Sequence, residues 1–148
     1  MRIISRGKIT KPEQNTRFNS ITFPCMVKLS SGRWMAAYKA SEKKGDCDFQ
    51  HAVISWSDDE GKTWSGPFEP VQLPALAGIP GQSRIAYILP LNDGRLLMLV
   101  NWVDASDTRI PYYDPVHESL KDTRIFYCFS DDDGESWSAP KLMNTDPV

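Results

Sequence analysis

Two acidic runs, Asp58-Asp59-Glu60 and Asp131-Asp132-Asp133, and one aromatic stretch from Asn101 to Asp122 hold most of the residues whose types could do chemistry. Clustered carboxylates can hold a divalent cation or share acid/base work. A calcium loop, however, spreads oxygen ligands over alternate positions of about a dozen residues and closes on a bidentate Glu. Neither run has that spacing. Cys25, Cys47 and Cys128 are an odd, widely spaced set without a CxxC pair, which favours reduced buried thiols over a disulfide frame or a zinc site. No metal and no cofactor is expected. The stretch from Asn101 to Asp122 carries Trp102, Arg109, Tyr112, Tyr113 and His117, and exposed aromatic rings beside Asp and Arg suit the faces and hydroxyls of sugars. A loop that packs on itself and covers its neighbour is the competing reading. His51 reads as a hydrogen-bonded structural histidine before it reads as a base. Residues 78–84, GIPGQSR, lack the GK(S/T) ending of a phosphate loop and read as a connection.

The elements that must position these residues are marked by a repeated pattern, Ser-x-Asp-x-Gly-x-(Thr/Ser)-Trp. It occurs as Ser57, Asp59, Gly61, Thr63, Trp64 and again as Ser130, Asp132, Gly134, Ser136, Trp137. An apolar run leads into each copy (AVISW, RIFYCF), and Ser-Gly-Pro or Ser-Ala-Pro leads out, which puts the pattern at the tip of a β-hairpin. There the Asp carboxylate can accept backbone N–H groups across the turn. Gly supplies a positive φ, the hydroxyls cap the remaining donors, and the Trp folds back over the apolar side. These aspartates are expected to serve the backbone.

More than the turn repeats. Residues 23–38 can be laid on residues 85–100, with Leu29 on Leu91, Gly32 on Gly94 and Arg33 on Arg95. Each unit reads as strand, tight turn (SSG or NDG), strand, longer loop, strand, locked turn and fourth strand. The fourth strand is expected at Phe68 to Leu73 in the first unit and near Lys141 in the second. Four antiparallel strands per repeat is the grammar of a propeller blade, and no helical period interrupts it.

The repeated pattern resembles the Asp box, or BNR repeat, of the sialidase (neuraminidase) superfamily and other β-propellers. The resemblance implies an all-β fold: a partial propeller of about two four-stranded antiparallel blades out of six, with blade one at about 17–73 and blade two, truncated, at about 84–148. Propellers close with roughly four to eight blades, so the chain is expected to be a fragment. Its partners are then the remaining blades or further copies of itself. Successive connections in an antiparallel blade alternate between its ends. The SSG and NDG turns therefore share one end with the locked turns, and the opposite, upper end carries 40–50, 74–83, 104–122 and the segment before Phe23.

On that upper end the resemblance can be carried over by residue. Sialidases place an Arg-Ile-Pro motif on the first inner strand, where its Arg helps grip a substrate carboxylate. Here Thr22-Phe23-Pro24 stands in its place, and a hydroxyl cannot supply the bidentate charge of a guanidinium. Arg17, five residues upstream, reads as a solvent-exposed loop residue. Asp48, and after it Asp46, fits the acid/base position, which would protonate the departing glycosidic oxygen and then activate water. Arg84, in Ser83-Arg84-Ile85-Ala86, falls where the motif would fall in a first blade and is expected to bind an anionic group or to form a structural ion pair. Arg84, Arg109, Tyr112 and Tyr113 are the expected substrate-binding residues. The Tyr/Glu pair and further arginines that complete a sialidase site have no counterpart here, because nothing pairs Tyr112 or Tyr113 with a Glu as base. The implied function is an exo-glycoside hydrolase fragment that acts on or binds glycans, inactive alone. The alternative is a non-catalytic propeller that binds carbohydrate or protein.

Composition sets outer limits. A formal charge of -2 and a pI near 5.7 argue against a nucleic-acid partner, for which a basic face is expected. No apolar stretch approaches the roughly 20 residues of a membrane span, so no membrane partner is expected. The start, MRIISRGKIT, lacks the apolar region of a secretory signal, so the chain is expected in the cytoplasm if Met1 is the true start.

Overall fold

The computed structural model describes residues 6–45 and 50–144, and among them every regular element is a strand. Three strands, β1 (Ser20–Lys28), β2 (Trp34–Ser41) and β3 (Gln50–Ser57), form the first sheet in that order. The second sheet contains β4 (Gly81–Pro90), β5 (Leu96–Asp104), β8 (Thr123–Ser130) and β9 (Lys141–Leu142). Two short strands, β6 (Tyr113–Asp114) and β7 (Ser119–Leu120), make a separate hairpin. All pairings are antiparallel.

The sequence repeat has a local cause in the two tight turns. Gly32 and Gly94 sit at φ of 96° and 88°, where a side chain would be strained. The same bonds close both turns: Leu29 N–H to Arg33 O and Leu91 N–H to Arg95 O, each 2.8 Å. Both first strands also carry a β-bulge. In β1 it places Phe23 and Pro24 opposite Tyr38, with Phe23 at φ 55°. In β4 it places Arg84 and Ile85 opposite Asn101. A bulge re-aims side chains beside it, and here it does so at the candidate site.

Alternation along the strands builds the core between the sheets. Met35 and Ala37 of β2 with Ala52 and Ile54 of β3 meet Ala86 and Ile88 of β4, Met98 and Val100 of β5, and Cys128 of β8. The alanines let the sheets approach. The large side chains each contribute roughly 1.5–3 kcal/mol by leaving water. The outer face of the first sheet, with Ala36, Tyr38, Ala40 and Val53, is covered by Ile9, Phe18, Ile21 and Trp64. The outer face of the second sheet has no such cover among the described residues: Tyr87 and Leu89 are 52% and 43% exposed.

Two expectations need correction. The fourth strand of the first unit, expected at Phe68 to Leu73, is reduced to a single bridge between Ile54 and Phe68. Pro67 and Pro70 flank that residue and have no N–H for a ladder. The aromatic stretch is also not all loop. Its first residues continue β5, and Trp102 is fully buried, with its indole N–H donated to Pro74 O at 3.1 Å.

Candidate functional site

The lower end holds the two repeated turns, and their main hydrogen bonds correspond. Ser57 Oγ accepts the N–H of Gly61 (2.8 Å) and donates to Asp59 Oδ1 (2.8 Å), while Asp59 accepts the N–H (2.9 Å) and hydroxyl (2.6 Å) of Thr63. Ser130, Asp132, Gly134 and Ser136 repeat this at 2.9, 2.8, 2.9 and 2.5 Å. Trp64 and Trp137 donate their indole N–H to the carbonyls of Gly61 and Gly134, both at 3.2 Å. Glu60 and Asp133 share positive φ with the glycines that follow them. The Thr63 and Ser136 hydroxyls, then their N–H groups, hold the carboxyls of Asp59 and Asp132 down at about 2. Both aspartates are thus occupied by the backbone and by neighbouring hydroxyls. Among the described residues no cluster of His, Cys, Asp or Glu is placed to hold a metal ion.

Arg33 ties this end together. Its guanidinium bonds Asp58 at 2.7 and 3.2 Å, and reaches across to Asp133 O and Glu135 of the second turn, both at 3.3 Å. The Asp58 hydrogen bond is the main cause that raises the Arg33 pKa. Arg33 therefore bridges the two sheets at the lower end. Arg95, its counterpart in the repeat, pairs with Asp93 at 2.8 Å and lies over the Phe129 ring.

The upper end brings together two of the residues selected from sequence. The bulge in β4 carries Arg84 to the Tyr112 ring, its guanidinium carbon 3.9 Å from the centroid. Both line a small cavity with Gln50, Gln82, Asp104, Thr108 and Lys121, where the start of β3, the start of β4 and the end of β5 meet. Both also border a larger, mostly apolar hollow with Phe23, Ile85, Tyr87 and Leu99. Tyr113 lies on the β6–β7 hairpin, 51% exposed. Arg109 points outward and is held by Asp107 at 2.9 and 2.8 Å, so it does not line the cavity. His51 pairs with Glu69 at 2.6 Å and His117 with Asp114 at 2.6 Å. Arg17 is exposed and lies over Phe18. Asp46, Cys47 and Asp48 lie outside the described residues.

Two polar residues of the upper end carried a signal that went unread. Along β2 and β3 the inward positions run Met35, Ala37, Lys39 and Ile54, Ala52, Gln50. A polar side chain that extends an inward apolar series is a mark of a built environment. Lys39 is 2% exposed and donates to Gly45 O at 3.0 Å, which ties the β2–β3 connection down. Gln50 is 9% exposed, and its Oε1 has no hydrogen-bond partner among the described residues.

No known family matches the chain by sequence, and no curated protein does. Solved structures match it by fold. The NanB sialidase of Streptococcus pneumoniae superposes with a TM-score of 0.66 at 15% identity, over 93% of this chain and 38% of that one. A Hadza microbial sialidase gives 0.65 at 19% identity, over 85% and 26%. The intramolecular trans-sialidase of Ruminococcus gnavus gives 0.65 at 14% identity, over 92% and 51%. The chain thus spans between about a quarter and a half of the length of these structures. At such identity the likeness concerns the fold, and the two stacked antiparallel sheets are an unclosed part of a sialidase-like β-propeller.

Proposed function

We propose that the upper end is a glycan-recognition surface and that the chain is the two-blade part, about 17–73 and 84–148, of a sialidase-like exo-glycoside hydrolase. The observation that carries this reading is Arg84, placed by a β-bulge, stacked on Tyr112 and lining a small cavity of mixed polar and apolar walls. A stacked guanidinium keeps its charge and its planar fork in one orientation, which suits a carboxylate on a sugar ring. Tyr112 fixes the cation, and Tyr113 and the β6–β7 hairpin offer apolar surface beside it. The acid/base role is assigned from sequence to Asp48.

The test is binding of the methyl glycoside of N-acetylneuraminic acid, read by calorimetry on the wild type and on Arg84→Lys. A loss of about tenfold or more in Arg84→Lys with unchanged thermal stability supports the reading. Equal affinity removes Arg84 from it. In a catalytically competent parent, Asp48→Asn is expected to depress kcat by about 10² or more with nearly unchanged binding, since shape is kept and proton transfer is lost.

A second reading, a binding propeller without turnover, is favoured by Thr22. That residue stands where the resemblance calls for an arginine, and it pairs across the sheet with Lys39. Absence of turnover in the parent, with Arg84-dependent affinity retained, would select it.

A further inference from the structure

The open face of the second sheet repeats, one unit on, the face of the first sheet that the second sheet covers. In the repeat Val27, Met35 and Ala37 correspond to Leu89, Leu97 and Leu99, and Trp56 to Phe129. The first set packs in the core between the sheets, whereas Leu89 is 43% exposed. The lower corner of each face holds an arginine over an aromatic ring: Arg33 lies 5.4 Å from the Trp56 centroid, and Arg95 lies 4.7 Å from the Phe129 centroid. In both, Nε donates to a carboxylate of the same unit, Asp58 for Arg33 and Asp93 for Arg95. From there the two arginines differ. A terminal nitrogen of Arg33 crosses to the locked turn of the other sheet, to Asp133 O and Glu135 Oε1, both at 3.3 Å, and its side chain is only 15% exposed. The terminal nitrogens of Arg95 have no partner among the described residues, and its side chain is 44% exposed.

We propose that Arg95 is a docking residue, and that the open face takes a partner sheet whose locked turn presents a carboxylate where Glu135 stands. The fold by itself calls only for some apolar neighbour on Tyr87 and Leu89. The charge at the corner decides which turn fits. Stacking on Phe129 and the bond to Asp93 hold the guanidinium in place, so a partner carboxylate meets a fork that is already ordered. A second copy of this chain, stacked head to tail, is the wrong occupant. The locked turn of its first sheet has Lys62 at the position of Glu135, and two cations at one corner repel. The outer face of that sheet is, moreover, already covered by Ile9, Phe18 and Ile21 of the same chain. The partner is therefore a different antiparallel sheet, apolar on its facing side and acidic in its turn. Nothing in this depends on Arg84 or on the glycan reading of the upper end.

The experiment titrates the isotopically labelled chain with two cyclic peptides of residues 130–138, one with the native sequence SDDDGESWS and one with Glu135→Lys, each closed by a flanking disulfide. The bonds that lock this turn lie within 130–137, so the peptide carries all of them. The readout is the NMR signal of the Arg95 Nε–H and of the Leu89 and Leu97 amides. The expected result is saturable shifts at these positions, with an affinity about fivefold or more higher for the native peptide than for Glu135→Lys, a difference that shrinks as salt is raised. In Arg95→Met the two peptides should bind alike. Because the comparison of the two peptides on the wild type needs no mutation of the chain, a failure of Arg95→Met to fold leaves the proposal open to refutation. Equal affinity of the wild type for both peptides overturns it, as does a preference that survives in Arg95→Met, shifts centred on Arg33, or no saturable shift. Self-association of the wild type that weakens in Arg95→Met, with Tyr87 and Leu89 intact, would make a second copy the occupant and overturn it too.

Discussion

Gly81→Ala is expected to be among the most damaging single-methyl additions to this chain. Gly81 opens β4, and a Cβ built there would lie 1.6 Å from Nε1 of Trp102 and 2.2 Å from Cδ1 and Cε2. The obstacle is a rigid indole with no exposed surface, held by its bond to Pro74 O. It cannot rotate aside as a flexible chain end would. Overpacking of this kind costs about 1–3 kcal/mol, and displacing the indole N–H from its carbonyl adds about 1–2 kcal/mol, for about 2–5 kcal/mol together. Since a domain of this size loses roughly 2–4 °C per kcal/mol, Tm should fall by about 4–20 °C. Gly94→Ala is the control: its φ of 88° brings strain, but nothing lies within 4 Å, so a loss of about 1 kcal/mol is expected. The assay is urea denaturation followed by tryptophan fluorescence, with Gly81→Ala placed also in a Trp102→Ala background. Strong coupling between the two changes is predicted. Gly81→Ala no worse than Gly94→Ala, or strict additivity with Trp102→Ala, would refute the steric argument.

Four further outcomes follow from the turns, the core thiol and the open sheet face. Ser130→Ala strands the buried Gly134 N–H and should cost about 1–3 kcal/mol in chemical denaturation; an effect under about 0.3 kcal/mol would contradict the role given to that hydroxyl. Asp59 and Asp132 titrate at about 2 in the folded chain against an ordinary 3.8, so their contribution is complete above 3.8 and is lost as pH falls toward about 2. Tm should drop across that window, and the drop should be smaller in Asp132→Asn. Burial pushes the Cys128 thiol up to about 12, so it should resist a thiol reagent at neutral pH until the chain unfolds; labelling of native Cys128 at the rate of a free thiol would place it outside the core. Tyr87 and Leu89 expose an apolar face, so sedimentation should show concentration-dependent association that is abolished in Tyr87→Lys with Leu89→Lys. Association unchanged in that variant would move the contact elsewhere.

What was legible in the sequence was chiefly what is local. The turns at 57–64 and 130–137 are set by Gly, Asp and hydroxyl residues that bond within four positions of one another, so their chemistry can be read without knowing the fold. The pairs Asp93 with Arg95 and Asp107 with Arg109 belong to the same class, and the second accounts for Arg109 lying outside the cavity. What was not legible depends on distant partners. Trp102 looked like one more ring of an aromatic loop, and its burial depends on Gly81 and on Pro74 O. The missing fourth strand follows from Pro67 and Pro70, whose effect on a ladder is plain once Phe68 is seen to bridge Ile54 alone. Arg84 was selected by its place in the repeat, but its stacking on Tyr112 depends on a bulge that sequence does not announce. Gln50 is intermediate, for the parity that points it inward is in the sequence and its unsatisfied amide is not.

The central claim is that the upper end of the two sheets, and not the end with the repeated turns, recognises an acidic sugar. The most direct test is a two-dimensional NMR titration of the isotopically labelled chain with the methyl glycoside of N-acetylneuraminic acid. The account predicts saturable shifts that cluster on Gln50, Gln82, Arg84, Tyr112 and Lys121 and leave the amides of Gly61 and Gly134 in place. Saturable shifts centred on Arg33, Asp58 and Glu135, or no saturable shift at all, would contradict it.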